Sequence, residues 1–366
     1  MSLLVSLLLS LVSIKAYANK DIGYKSSGEV FRYEVLHKGK DVIWGFDFLD
    51  INQIVFSERK GSFKVLNLKS KEVSELSGAP TISSSGQGGL LDVRVHPVQN
   101  SKIYFSYSES TDKGLTTALG LATLEGGKLS GFKKLFAGFE PVKGNIHFGS
   151  RIEFDGKGHL WMSIGDRNER DKAQDLNFHN GKIIRLKEDG SVPTDNPFIS
   201  NRNAKSEIWS FGHRNPQGLV FNSTTNELWS TEFGPKGGDE LNLIEPGANY
   251  GWPVITYGRE YYGPKIAEKT EKIGMKQPVS YWVPSISPSA LTIYTGDKFP
   301  KWKGQFFIAT LSGLHLRRLK LDSSQVTEQE ELLNDQNIRI RNVRTGPDGF
   351  LYLSTDSGVI ARLIHP

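Results

Sequence analysis

The chain has no cysteine among its 366 residues, so it carries neither disulfides nor thiolate metal sites, and any metal must rest on oxygen or imidazole, a donor set that suits calcium. Its 45 Lys and Arg alternate with 40 Asp and Glu instead of gathering into a block or stripe, and the formal charge of +5 is mild. That argues against a nucleic-acid partner. Beyond the N-terminus no stretch approaches the ~20 apolar residues needed to cross a bilayer, which argues against an integral membrane protein. Helical signals are scarce as well.

What is present favours strands. Glycine (38) exceeds the needs of a helical protein, and an aromatic content of 11% suits pleated surfaces on which rings pack well. With 37% hydrophobic and 23% charged residues, the composition is that of a folded domain with a large core. Residues 1–18 form an apolar leader ending in Ala16-Tyr17-Ala18, the small-x-small pattern of a secretory cleavage site, although no Lys or Arg precedes the apolar run. The expected organisation is a signal peptide over residues 1–18 and one domain over residues 19–366, periplasmic or secreted.

Six short segments share a shape: two bulky apolar or aromatic residues, a variable position, then a small residue. They begin at Ile54, Ile103, Leu160, Leu228, Phe306 and Leu351 and end at Ser57, Ser106, Ser163, Thr231, Ala309 and Ser354. Their spacing of roughly 45 to 80 residues is about one four-stranded blade with variable loops. Turn signals introduce several of them, such as Asp155-Gly156 before Leu160 and Pro347-Asp348-Gly349 before Leu351. The pattern predicts an all-β, six-bladed β-propeller with these segments as inner strands, their small fourth residue relieving crowding at the channel. A sandwich would show turns every ~8–12 residues without the longer period. Val359 to Ile364 reads as a strand able to close the ring with an N-terminal one.

Four segments are richer in Gly and polar residues than connectors require: Gly86 to Asp92, Gly144 to Arg151, Gly212 to Gly218 continued by Glu232 to Glu240, and Asn337 to Val343. In a propeller all four can converge on one mouth of the channel. In this order, and with Ser210 to Gly218, Gly234-Pro235 and Asn249-Tyr250-Gly251-Trp252-Pro253, they resemble the soluble sugar dehydrogenases that use pyrroloquinoline quinone (PQQ), including the bacterial aldose sugar dehydrogenases. The resemblance spans about Trp44 to Arg362.

It implies oxidation of an aldose sugar to its lactone, with PQQ and Ca2+ as cofactors and an external electron acceptor, a cytochrome or quinone, as partner. His147 matches the general base, a task that suits an imidazole. Gln87 and Asp166 match residues beside it in the sugar pocket. Arg214 and Asn215 match groups that hydrogen-bond the quinone oxygens, Gly234 and Pro235 the pair whose carbonyls bind calcium, and Arg339 and Arg341 a same-face pair for the cofactor carboxylates. Without the resemblance, a His among glycines is more often a structural hydrogen-bonder, Gly-Pro a turn, and paired arginines a solvated strand face. Where the glucose-oxidising relatives place a lysine, this chain has Leu311-Ser312-Gly313, with Arg317 as the nearby substitute. Tyr281 and Trp282 fall near the aromatic wall of the pocket.

Two other functions stay open at this level. A calcium-dependent propeller lactonase would want several Asp, Asn or Glu side chains around a metal deep in the channel. A non-catalytic extracellular binding module would not need His147 or the Arg214-Asn215 pair. The leader yields its own prediction: N-terminal sequencing of exported protein should begin at Asn19, and an intact Met1 on a cytoplasmic product would contradict it.

Overall fold

Alternating apolar residues, interrupted every few positions by Gly-, Asn- or Asp-containing turns, give strands that pair with their sequence neighbours into six sheets. The computed structural model describes residues 23–366 and the backbone of Ile14–Lys15; the rest of the leader, with its cleavage motif, lies outside the described residues. Among the described residues the only helices are three 3-10 turns, Arg170–Ala173, Pro300–Trp302 and Asn334–Gln336, and none is long and apolar enough to cross a membrane.

Each sheet is one blade of a six-bladed β-propeller. The first strands of blades I to VI are Ile43–Asp50, Leu90–Val95, Ile152–Phe154, Pro216–Asn222, Pro288–Ile293 and Ile340–Thr345, and consecutive ones are neighbours around a closed ring. The last blade is completed from the other end of the chain: Glu29–Lys38 pairs antiparallel with Val359–Ile364, from Val359 opposite Lys38 to Ile364 opposite Arg32, with a register shift between Ile360 and Ala361. Closure by the two chain ends is the device the C-terminal strand signalled.

The six repeated segments prove to be the second strand of each blade, not the inner one. Their small fourth residue has a different cause from crowding at the channel. The buried Ser57 hydroxyl donates to the Leu91 carbonyl of the next blade at 2.5 Å. Ser106 donates likewise to Ser150 O at 2.6 Å, Ser163 to Pro216 O at 2.8 Å and Ser354 to Ile43 O at 2.8 Å. A short hydroxyl stitches each of these joints where a larger side chain would separate the sheets. Apolar layers fill the rest of each joint: Phe63 of blade I meets Phe105 of blade II edge to face with ring centroids 5.0 Å apart. Burial on both faces explains why the second strands are nearly continuous apolar runs.

Arg151, just before the first strand of blade III, occupies the axis and touches every blade. Its guanidinium lies over the Trp44 ring of blade I, 4.4 Å from the centroid, and pairs with Asp92 of blade II at 2.8 Å. It also donates to Gln217 O of blade IV at 2.9 Å, to Ser289 O of blade V at 2.7 Å and to Arg341 O of blade VI at 3.5 Å. Burial pushes its pKa down to about 10, so it stays charged at neutral pH. Removing one partner of such a pair strands the other charge, so Arg151→Met should cost about 3–5 kcal/mol in denaturant unfolding. Adding Asp92→Asn should cost less than the sum of the single changes. A loss below about 1 kcal/mol in the single variant would show that the pin is dispensable.

Candidate active site

The Gly-rich segments singled out in the sequence lead into the first strands, so the propeller gathers them at one mouth of the channel. Gln87 precedes the first strand of blade II, His147 that of blade III, and Arg214 and Asn215 that of blade IV, while Arg339 and Arg341 flank the start of the strand in blade VI. Arg151, bonded to residues at the starts of the same strands, forms the floor beneath them.

His147 is held from several sides. Its backbone is left-handed (φ 55°), a conformation that a non-glycine residue keeps only where its surroundings enforce it. Its N–H donates to Gln87 Oε1 at 2.8 Å. Gly165 approaches so closely that a Cβ there would sit 2.0 Å from the His147 carbonyl oxygen. Arg167 donates to the carbonyls of Ile146 and Gly144 and lies over the Phe148 ring, clamping both flanks of the histidine.

The imidazole Nδ1 meets Asp166 Oδ1 at 2.7 Å. The other carboxylate oxygen accepts from Trp252 Nε1 at 2.8 Å, and Oδ1 also accepts from the Asn168 N–H at 2.8 Å. Burial would raise the Asp166 pKa, but the hydrogen bond and charge of His147 and the charge of Arg214 outweigh it and keep the carboxylate ionised. Burial lowers the His147 pKa and prevails over the opposing influence of Asp166. The result is a neutral imidazole with its proton on Nδ1, facing a carboxylate. Nε2 is then the basic nitrogen, and among the described residues it has no protein partner. Behind the dyad, the buried Lys182 ammonium donates to the carbonyls of Lys172, Ala173 and Asn180, and Asn180 Nδ2 donates to Asp166 O, fixing the loop that carries the carboxylate.

Arg214 is joined to this cluster through its carbonyl, which accepts from Asp166 N at 2.7 Å. Its Nη1 donates to Phe233 O at 3.1 Å and Gly234 O at 3.0 Å, and its guanidinium lies over the Trp252 ring. Nε and Nη2 have no protein partner among the described residues. Asn215 Oδ1 accepts from Gly149 N at 3.1 Å, leaving its amide NH2 similarly open. Gly234 N donates to Asp239 Oδ1, and the Asp239 carboxyl, which also accepts from the Ile286 and Ser287 N–H groups and the Ser285 hydroxyl, is pushed up to about 6 by burial. Pro235 packs against Gly258, where a Cβ would lie 2.5 Å from its ring.

Arg339 and Arg341 do share a side, because both bind Asp356: Arg339 Nε at 2.9 Å, and Arg341 through Nε at 2.7 Å and Nη2 at 3.1 Å. Burial would raise the Asp356 pKa, but the two guanidiniums hold it below the usual carboxylate range. Arg341 also reaches Gln217 Oε1 at 3.1 Å, two residues beyond Asn215, which ties this cluster to the other. Arg317 does not take the place of the missing lysine. It lies in the third strand of blade V, paired with Glu331 at 2.8 Å and Gln329 at 2.8 Å. Of the aromatic pair, Tyr281 is half-exposed and stacks on Tyr257 at 3.8 Å, whereas Trp282 turns into the core.

Sequence reasoning missed the parts played by Arg167, Trp252 and Asp356. The motif around Trp252 was visible, but its indole acts on a carboxylate 86 residues away in sequence, a contact only the ring of blades creates. The dyad makes a prediction that needs no substrate. Long-range nitrogen NMR at neutral pH should show His147 protonated at Nδ1 and bare at Nε2, titrating below the ordinary ~6.5, with signals assigned by their loss in His147→Gln. An Nε2–H tautomer would contradict the geometry.

Comparison with known proteins agrees with this architecture. Residues 40–363 match the family model described as Glucose / Sorbosone dehydrogenase. The chain is 42% identical over 331 residues to aldose sugar dehydrogenase YliI of Escherichia coli, covering 88% of this chain and 89% of that one. The crystal structure of soluble aldose sugar dehydrogenase from Escherichia coli in the apo-form superposes with a TM-score of 0.87 at 40% identity, over 91% of this chain and 99% of that one. The PQQ-bound aldose sugar dehydrogenase of Streptomyces coelicolor gives a TM-score of 0.75 at 26% identity, over 91% and 98%. The chain therefore belongs to the glucose/sorbosone dehydrogenase family.

Proposed function

We propose that this protein is an aldose sugar dehydrogenase that oxidises the anomeric carbon to the lactone with PQQ and calcium bound at the mouth described above. The observation that carries the reading is the His147–Asp166 dyad with an unpartnered Nε2. As hydride leaves the anomeric carbon, Nε2 takes the hydroxyl proton, and the carbon–oxygen bond becomes the lactone carbonyl. Asp166 stabilises the imidazolium that forms and, with its other oxygen on Trp252, keeps the ring oriented.

The donors left open at this mouth fit a planar, oxygen-rich polyanion. Arg214 Nε and Nη2 and the Asn215 amide have no protein partner, and Arg339 and Arg341 share a single carboxylate. Bound here, PQQ supplies the hydride acceptor. Arg214 and Asn215 would hold its quinone oxygens and stabilise the charge that develops there, and Arg339 and Arg341 its carboxylates. The Gly234 carbonyl has one lone pair on Arg214 and one to spare, and Pro235 offers a second hard oxygen for calcium. Among the described residues no group of three or more His, Asp or Glu is arranged to hold a metal. Calcium at these carbonyls would therefore draw its remaining oxygens from cofactor and water. The electrons pass on to an external acceptor.

The lactonase alternative is disfavoured by Arg151, because a guanidinium on the axis occupies the depth at which that chemistry wants a ring of metal ligands. Protein reconstituted with PQQ and calcium should oxidise a panel of aldoses with an artificial acceptor. His147→Gln keeps a hydrogen-bonding side chain but loses the base, so stopped-flow reduction of the bound quinone at saturating sugar should slow by about 10²–10⁴ with reoxidation unchanged. A wild-type rate of quinone reduction would remove His147 from the role, and the neighbouring His213 could not replace it, being buried with its ring nitrogens on Ser210 and Glu232.

A further inference from the structure

The first strands end at the opposite mouth of the channel, and there they enclose a second cavity of about 570 Å3. Asp47, Arg94 and Glu153 come from blades I to III, and Val220 to Thr225, Leu291 to Thr295 and Arg344-Thr345 from blades IV to VI. These residues lie beyond the strand starts that carry His147, Arg214 and Arg341, and Arg151 with Asp92 separates the two ends.

The charges at this mouth are unevenly satisfied. Arg94 takes both carboxylates of the wall, Asp47 at 3.0 Å and Glu153 through a short bond, and donates to Ile152 O besides. Arg344 has only a 3.7 Å approach to Asp92, a carboxylate already held by Arg151. Arg344 Nε and the hydroxyl of the adjacent Thr345 are buried without a partner among the described residues. Burial, together with the charge of Arg94, pushes the Arg344 pKa below its usual range against the opposing charges of Asp47, Asp92 and Glu153. Lys303, on the rim, has no ion pair among the described residues. Arg344 Nη1 and Nη2 likewise have no hydrogen-bond partner among the described residues, and open donors of this kind on a cavity wall call for a ligand or water to satisfy them. Apolar side chains complete the lining, among them Val220, Phe221, Leu291 and Ile293. An inorganic anion would leave most of the volume empty, since cavities of ~300–1,000 Å3 hold organic molecules.

We propose that this distal cavity binds a small organic carboxylate, its head on Arg344 and Lys303 and its apolar body against Val220, Phe221, Leu291 and Ile293. The site is independent of the sugar-oxidising chemistry at the other mouth. Calorimetric titration of the full chain with hexanoate, hexan-1-ol, hexylammonium and inorganic phosphate tests it. Hexanoate should bind one to one, at least about tenfold tighter than the alcohol or phosphate, and more weakly as salt is raised, while hexylammonium should not bind. Arg344→Gln should weaken hexanoate by about tenfold or more. Ser223→Asp, on the exposed rim where folding is not at stake, should weaken it severalfold, and Arg341→Ala at the other mouth should leave it unchanged. Equal binding of the alcohol or phosphate, or indifference to both Arg344→Gln and Ser223→Asp, would overturn the proposal, as would loss of binding in Arg341→Ala.

Discussion

The guanidinium of Arg151 on the propeller axis is the interaction on which the rest of this structure depends. A ring of six sheets gains most of its burial between neighbouring blades, so nothing in those pairwise layers alone fixes how all six meet at the centre. Arg151 does so with a planar fork of donors, each aimed at a carbonyl or carboxylate from a different blade, and with its flat face on Trp44. Burying that charge is costly, and Asp92 with the surrounding carbonyls offsets the cost only while every partner stays in place. The pin is therefore a cooperative element, and a register error in any one blade would be felt at the axis.

The geometry of the proposed site inherits that rigidity by covalent proximity. His147 stands four residues before Arg151 in the same segment, with Phe148, Gly149 and Ser150 each anchored to a neighbour: Phe148 O to Thr117, Gly149 N to Asn215, Ser150 O to Ser106. Gln87 lies five residues before Asp92, and Arg341 offers its carbonyl directly to the pin. The site thus sits on the ends of strands that one buried cation holds in common, which gives a left-handed histidine a frame stiff enough to keep it. Hydroxyl stitches from Ser57, Ser106, Ser163 and Ser354 repeat the same logic farther from the axis, joining blades through single hydrogen bonds to backbone carbonyls.

The sequence made some of this legible and hid the rest for physical reasons. Six recurrences of one strand pattern reveal a six-fold architecture, because each blade must solve the same burial problem. The pattern cannot say which strand of the blade it marks: a small residue relieves crowding and carries a short hydroxyl equally well, and the expectation chose the wrong one of these. His147, Gln87, Asp166, Arg214 and Asn215 were recognisable from the segments they stand in, and the fold joins them by hydrogen bonds. Trp252 and Asp356 were not, since each acts on residues brought near only by the closed ring, and nothing local to them advertises it.

The pairing of charges separates what the scaffold needs from what a ligand would use. Four arginines of the scaffold are each paired with a carboxylate: Arg151 with Asp92, Arg94 with Asp47, and Arg317 and Arg318 with glutamates of the adjacent strand. Arg214 departs from this rule by resting one nitrogen on carbonyls and leaving the others open, and Arg339 and Arg341 divide one carboxylate between them. A buried or half-buried cation without a full set of partners gains nothing for folding. Its persistence at a channel mouth follows if its missing partner is an anion that arrives from solution. The same reasoning that sets Arg214 apart from Arg151 at one mouth sets Arg344 apart from Arg94 at the other.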